Sequence, residues 1–367
     1  MTVRSIFQQD SKVVTAISVA FFALLGCAIR VSIEVWLHTL DFGVTTTNPG
    51  PFLLKNSHKC YKRSSASGYF FQNVLGCILM AAVARHKKAM NQHLATGLSS
   101  GLCGALTTWA TWMGEVASTI TNGFIFQALV SVLCMFCVSL TSYRFGHFLA
   151  GCGMEEEPKC FDEYCGLRIL FTKQEKNIEM VEDGDTGSDS DRENGTEHEW
   201  GLHVDQPESW KDHNNTEVFL SDAVHLAISG LALIYIATFL GIAGGHRYYT
   251  GLLDMSMAPF GALLRWWLSL FNKYTAPFPF FTLVANTLGC LCNALAGVYE
   301  ERMTDALAIS ALGALSTGFA GSLSTVSTFI SELRSDTLGG LRLRFAYFFA
   351  SFVAAMTVLI PIDYTMC

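Results

Sequence analysis

The chain has 367 residues, of which 51% are hydrophobic and 15% charged, with a mean hydropathy of +0.34. A soluble domain struggles to stay in solution at that balance, so most of the chain belongs in lipid. The formal net charge of −7 is unevenly spread, because residues 151–220 hold 19 of the 31 Asp/Glu and only 6 of the 24 Lys/Arg. What lies outside that segment is mildly basic, as expected of loop ends beside anionic lipid. Nucleic-acid binding finds no support, and no Walker loop, HExxH or Gly-x-Ser-x-Gly elbow points to an enzyme.

A spanning helix needs about 20 mostly apolar residues. Runs of that kind fall at 13–37, 69–84, 94–118, 123–149, 221–244, 252–271, 277–299, 305–332 and 342–361. The expected fold is an all-α polytopic membrane protein with about nine transmembrane helices. The first run is too long for a signal-peptide core and lacks a convincing cleavage site, so it is expected to persist as the first span. Between the fourth and fifth runs the chain is rich in Asp, Glu, Gly and Ser, and a disordered cytosolic linker is expected over about 172–216. Cys27, Cys77, Cys103, Cys134, Cys137, Cys290 and Cys292 fall in apolar runs and read as small hydrophobes. Cys134-x-x-Cys137 has no second ligand pair for a metal.

Loop charge gives an orientation. With the N-terminus inside, cytosolic segments would carry Arg4, Lys12, Arg85, Lys87, Lys88, Arg144, Lys273, Arg334, Arg342 and Arg344, against Lys55, Lys59, Lys62, Arg63, Arg247 and Arg302 outside. This modest bias favours a cytosolic N-terminus and an external C-terminus. The sequons at Asn194 and Asn214 would then have no access to glycosylation.

Three features recur in the same order in both hydrophobic blocks. Gly26-x-x-x-Arg30 is matched by Gly261-x-x-x-Arg265, and Asn73-x-x-Gly76 by Asn286-x-x-Gly289. The longest is a Gly/Thr run from Gly101 through Gly104, Thr107, Thr108, Trp109 and Thr111 to Trp112. It is matched from Gly318 through Gly321, Ser324, Thr325, Val326, Ser327 and Thr328 to Phe329. Each is followed three residues later by an acid, Glu115 or Glu332. Four spans per copy plus one joining helix would start the second copy on the opposite face, so two inverted four-helix repeats are expected. The domains are then 1–150, a linker at 151–220, a joining helix at 221–246, and 247–367. Inverted repeats place permeation sites at their interface near the midplane, and the glycines and hydroxyls of the third helix of each repeat are suited to a helix break.

Each residue also has a plainer reading. Asn73 and Asn286 sit in apolar spans, where an amide serves either as glue between helices or as a pore donor. Arg30 and Arg265 either snorkel to the interface or offer an anion its first counter-charge. The Gly/Thr/Ser segments equally suit close helix packing. Trp109, Trp112 and Phe329 are ordinary buried aromatics unless their positive ring edges meet an anion. Glu115 and Glu332 would repel anions and are expected to satisfy donors in the broken helix.

With these motifs the chain resembles the CrcB/Fluc/FEX fluoride channel family, whose four-span unit reads G-x-x-x-R, N-x-x-G, then a G-x-x-G-x-[LF]-[TS]-T-F-S-T-F segment. Two fused units resemble its eukaryotic, fungal-like FEX branch. The resemblance implies a plasma-membrane channel that passes F⁻ out of the cytosol passively, working as a monomer in lipid. Asn286 and Asn73 would donate to fluoride in two candidate paths. Where bacterial members carry pore phenylalanines, this chain has Val326 and Phe329 in one half and Trp109 and Trp112 in the other. That asymmetry suggests one working path, formed by Asn286, Phe329, Thr328, Ser327, Tyr347, Ser351 and Thr357, and one vestigial path. Changes at Trp109 are accordingly expected to matter less than Asn286→Asp. The resemblance further implies a structural Na⁺ held by backbone carbonyls at Gly104, Thr107, Gly321 and Ser324, and no organic cofactor. The alternative is an ion-coupled secondary transporter of a small anion, since such carriers also use inverted repeats.

Overall fold

The computed structural model describes residues 11–39, 69–151 and 246–366, all in one compact unit. The expected linker at 172–216, the joining span at 221–244 and both sequons lie outside the described residues. Every regular element among the described residues is helical.

The first block opens with α1, Ser11–Thr39, followed by α2, Phe70–His86. The third element, α3, spans 92–106. It starts as an α-helix over Gln92–Thr96, widens to π geometry over Gly97–Cys103, and closes with an α turn over Gly104–Leu106. After a break come α4, Trp109–Thr121, and α5, Ile125–Leu149. The second block follows the same plan. α6 is His246–Ser269, leading through a 3₁₀ turn at Leu270–Tyr274 to α7, Phe280–Arg302. α8 spans 306–323, with α geometry over Ala306–Gly313, π geometry over Ala314–Ala320 and a last turn at Gly321–Leu323. α9 is Ser327–Arg334 and α10 is Leu341–Met366.

The breaks fall where the Gly/Thr runs place them. The π stretches ahead of them are not visible in the sequence pattern, although such bulges commonly mark functional segments. α7 begins at Phe280, three residues later than expected, because Pro279 holds the N-cap and proline cannot donate within a helix. α10 runs past the expected end at 361 and carries Pro361 inside its last turns. Among the described residues, Lys12–Val35, Ile125–Leu149, Phe280–Arg302, Ala306–Arg334 and Leu341–Thr365 are long and apolar enough to cross a membrane, and Phe70–His86 is a shorter apolar helix. Together these make a helical, multi-pass membrane protein.

Packing within each block depends on glycine. α1 lies along α3, with Gly97 against Ser18, Gly101 against Phe22, and Gly26 against Leu102 and Ala105. The second block repeats this, with Gly318 against Asp254 and Gly261 against Phe319 and Leu323. A Cβ at Gly26 or Gly261 would strike a main-chain oxygen, Leu102 O or Phe319 O, which has no rotamer to yield. Between the blocks, α1 meets α6: Gly251 approaches Val31, whereas Val19 and Ala23 cluster with Ala262 and, at the margin, Trp266. The short helices after the breaks cross over. α4 packs on α7 and α10, and α9 packs on α2 and α5.

Gly26→Ala and Gly261→Ala should each destabilise the protein by about 1–3 kcal/mol, the usual range for overpacking. Gly313→Ala, where an added Cβ would meet nothing within 4 Å, should leave stability unchanged or slightly raised. Thermal unfolding of the detergent-solubilised protein, followed by loss of the monodisperse chromatographic peak, measures the contrast.

Candidate functional site

A helix break inside an apolar bundle frees backbone N–H and C=O groups, and lipid offers them no partner. Thr107 and Ser324 end α3 and α8 in nearly the same extended geometry, with φ −93° and ψ 150° against φ −92° and ψ 149°. The next residue in each copy is clamped by the motif asparagine. Thr108 N donates to Asn73 Oδ1 at 2.8 Å while Asn73 Nδ2 donates to Thr108 O at 3.2 Å. Thr325 N donates to Asn286 Oδ1 at 2.8 Å and Asn286 Nδ2 donates to Thr325 O at 3.3 Å. Both asparagines are buried. Each amide imitates a strand neighbour, which explains the residue type: only a side chain with adjacent donor and acceptor closes both bonds. Thr108 Oγ1 and Thr325 Oγ1 then accept from Thr111 N and Thr328 N at 3.3 Å, capping the next helix.

The two breaks meet. Thr107 Oγ1 lies 3.1 Å from both Thr325 Oγ1 and Ser327 Oγ, and Ser324 Oγ accepts from Ala110 N at 3.0 Å. Ser327 Oγ donates to Cys103 O at 3.0 Å. The two motif arginines reach across in the same reciprocal sense. Arg265 donates to Gly104 O at 2.9 Å and to Ser100 O, and Arg30 donates to Thr317 O. Both arginines are buried, so neither snorkels. Each reaches one carbonyl of the opposite π segment, Ser100 O or Thr317 O, and each guanidinium occupies the space where a Cβ at Gly104 or Gly321 would stand. This role, tying one block to the other, is not legible from G-x-x-x-R spacing alone.

At Gly104, Thr107, Gly321 and Ser324 the groups open to a hard cation are backbone oxygens, with Arg265 already donating to Gly104 O and the Arg30 guanidinium against Gly321. Thr107 and Ser324 lie outside helical geometry at two helix C-termini, whose dipoles present partial negative charge. The Gly104 carbonyl shared with Arg265 retains a second lone pair. No cluster of His, Cys, Asp or Glu suited to a metal occurs among the described residues.

Around this centre lies an aromatic and hydroxyl cluster. Phe329 stands 4.8 Å from Trp109 and 5.0 Å from Tyr347, ring centre to ring centre, and Trp109 makes an edge contact with Trp112 at 5.1 Å. All four rings are fully buried, as are Val326 and Ser351. Thus the sequence sorts the tryptophans and Phe329 into separate sets, while the structure packs Trp109 directly on Phe329. Thr111 Oγ1 pairs with Thr108 Oγ1 at 3.1 Å, and Thr328 Oγ1 accepts from Thr325 Oγ1 at 3.4 Å. Thr357 stands apart: it is exposed on α10 and its hydroxyl bonds back to Val353 O and Ala354 O.

Two residues outside the expected set join it. Thr282, one helical turn before Asn286, donates to Glu332 Oε1 at 2.6 Å, and Tyr347 donates to Glu332 Oε2 at 2.7 Å. Glu332 therefore satisfies donors on α7 and α10 rather than in its own broken helix. Asn272, in the 3₁₀ turn, donates to Thr282 Oγ1 at 2.9 Å. The signal for Thr282 was present as i, i+4 spacing to Asn286, whereas nothing local marks Asn272. In the first block, Tyr69 OH lies 3.5 Å from Ser131 Oγ.

A duplicated, broken-helix membrane protein with asparagine-clamped breaks is the class these features define. The family model for CrcB-like protein, Camphor Resistance (CrcB), matches residues 17–147 and 252–361, and the chain belongs to that family. Over 131 residues, 33% of this chain and 32% of the relative, it is 37% identical to Fluoride export protein 1 of Candida albicans. Over 76 residues it is 46% identical to the Fluoride-specific ion channel FluC of Psychrobacter arcticus, covering 21% of this chain and 62% of that protein. Fluoride-specific ion channel FluC 1 of Streptococcus pneumoniae is 40% identical over 75 residues, 20% of this chain and 62% of that one. The matched part is thus less than two thirds of the length of each of these relatives. No solved structure matches the chain.

Asn73→Ala and Asn286→Ala each strand a buried N–H and C=O at a break. Each should lower stability by about 1–3 kcal/mol or more. Asn286→Asp retains the acceptor for Thr325 N and should lie between wild type and Asn286→Ala in the same thermal measurement.

Proposed function

We propose that this chain is a fluoride-selective channel, passing F⁻ passively from the cytosol across the plasma membrane and so conferring fluoride resistance. The observation that carries the reading is the pair of asparagine-clamped breaks meeting in a cluster of uncharged donors, in a chain whose family relatives are named as fluoride exporters and channels. Fluoride holds its water tightly, so a path that strips it must supply rigid, preplaced donors. Asn286 has two amide N–H groups, of which one is committed to Thr325 O, and the other would meet the anion. Thr328, Ser351 and the ring edges of Phe329 and Tyr347 would line the rest of the path, with Val326 as packing and Ser327, whose hydroxyl donates to Cys103 O, holding the break. Asn73, Thr108 and Thr111 would line the second, vestigial path. An inside-negative potential favours anion exit by about 2.3 kcal/mol per 100 mV, so no coupling ion is required for energy.

The inverted arrangement belongs to the same proposal. It is supported by α1 and α6, whose contacts pair Val31 with Gly251 but Val19 and Ala23 with Ala262, the pattern of two helices running in opposite senses. With a joining helix between the repeats, the N-terminus would be cytosolic and the C-terminus external, and the fused pair would function as a monomer. Na⁺ would be held by the backbone of Gly104, Thr107, Gly321 and Ser324, where it would supply fixed positive charge between the repeats. Arg30 and Arg265 hold the breaks in position.

Glu332, gripped by two hydroxyls, is the feature that favours an ion-coupled carrier instead. Liposomes separate the readings. With protein reconstituted and fluoride loaded inside, a fluoride electrode should record efflux without any proton or sodium gradient, and chloride should remain trapped. Asn286→Asp should reduce efflux to the rate of empty vesicles, because it replaces the free donor with a second acceptor. Efflux that requires an imposed proton gradient would point to the carrier.

A further inference from the structure

Helices α2, α5 and α9 pack on one another, and each carries a basic side chain in its last turn: Arg85, His147 and Arg334. α9 belongs to the second block, so the cluster exists only because that helix crosses over. Arg85 Nη1 lies 3.3 Å from His147 Nδ1 and donates to His147 O at 3.5 Å. A guanidinium only donates, so Nδ1 accepts and the ring proton sits on Nε2. Arg85 and Arg334 both fall within Coulombic range of that ring. Gly151 packs against the Arg85 guanidinium, where a Cβ would strike Nη2 and Cζ. One turn before His147, Tyr143 OH lies 3.3 Å from Ser331 Oγ, itself one turn before Arg334. The basic groups are therefore held in place from both blocks.

Helix ends alone do not call for this cluster. A C-terminal dipole attracts cations equally in both blocks, yet with Asn73 aligned on Asn286 the second block has Val298 in place of Arg85, and Glu300 and Glu301 in place of Lys87 and Lys88. With Thr108 aligned on Thr325, the first block has Ala117 where the second has Arg334. Basic charge is thus gathered at one end of one repeat. Beside it, the last turns of α5 expose Phe145, Phe148 and Leu149, with Arg144 among them. Exposed apolar groups on a spanning helix meet acyl chains, and donors in its last turn stand at headgroup depth. A ligand matching both surfaces is a phosphodiester that carries acyl chains, whereas a soluble anion would use the charges alone. We propose that Arg85, His147 and Arg334 bind one anionic phospholipid, holding its phosphate while its chains lie along Phe145 and Phe148. The lipid bridges the two blocks where α9 crosses onto α2 and α5, and it does so whichever ion the protein conducts.

Titration of the full chain in neutral detergent, with native mass spectrometry counting bound lipid, tests this. Dioctanoyl phosphatidylglycerol should occupy one site about tenfold or more tightly than dioctanoyl phosphatidylcholine, and Arg85→Gln/Arg334→Gln should abolish that preference. Lys12→Gln/Lys273→Gln, which removes two cations elsewhere, should retain it. Arg334 is exposed, so Arg334→Gln alone should fold even where the double variant does not, and it should weaken phosphatidylglycerol binding severalfold. Equal affinity of the wild type for the two lipids, or wild-type phosphatidylglycerol binding in folded Arg334→Gln, would overturn the proposal. Sodium phosphate that displaces phosphatidylglycerol at matching concentrations would overturn it too, since the site would then recognise a soluble anion.

Discussion

Everything at the centre of this protein depends on satisfying the backbone at two helix breaks. Lipid provides no hydrogen bonds, so each break must be closed by side chains within the bundle. Asn73 and Asn286 do so with paired bonds to Thr108 and Thr325. The arginines do so for the carbonyls of the π segments, each from the opposite block. Broken helices are therefore fixed by directed bonds rather than by apolar packing, which alone is non-directional. Rigidity of that kind is what a path that replaces a hydration shell needs.

The same constraint joins the two repeats into one unit. Each block reaches into the other's π segment, Arg30 to Thr317 O and Arg265 to Ser100 O. α4 and α9 likewise pack outside their own block. A single copy would leave buried carbonyls unpaired and the apolar faces of α4 and α9 bare. Duplication in one chain places both halves of this centre in the same polypeptide, and it frees each copy to change its residues independently.

Much of this was legible in the sequence because the motifs recur. Repetition of G-x-x-x-R, N-x-x-G and the Gly/Thr run located α1, α2, the breaks and their counterparts in the second block, and the extent of the apolar runs placed most helix bounds within a few residues. The π geometry was hidden, since Gly97–Cys103 and Ala314–Ala320 have compositions that suit a plain α-helix equally well. Also hidden was which residues meet across the interface: sequence order assigns Trp109 to one half, and only the crossing of α4 puts it on Phe329. Glu332 was read as a partner for its own helix, because the donors of Thr282 and Tyr347 approach from helices distant in sequence. Thr357 showed the converse. The resemblance places it in the working path, but at its helical phase the residue is exposed and its hydroxyl bonds back to its own helix.

Independent change between the copies also explains how they remain structurally alike while differing in chemistry. In the second block a threonine on α7 and a tyrosine on α10 share Glu332. The first block has the tyrosine at the start of the equivalent helix, as Tyr69, and the small hydroxyl on its last helix, as Ser131, with the two oxygens 3.5 Å apart. One large ring and one small hydroxyl fill the space in both, so volume is conserved, and volume-conserving exchanges are those a packed interior tolerates best. What changes is the helix from which the ring reaches in, and with it the hydroxyl presented near Asn73 or Asn286. The repeats can thus keep one backbone, held by identical clamps, while the donors around each clamp diverge.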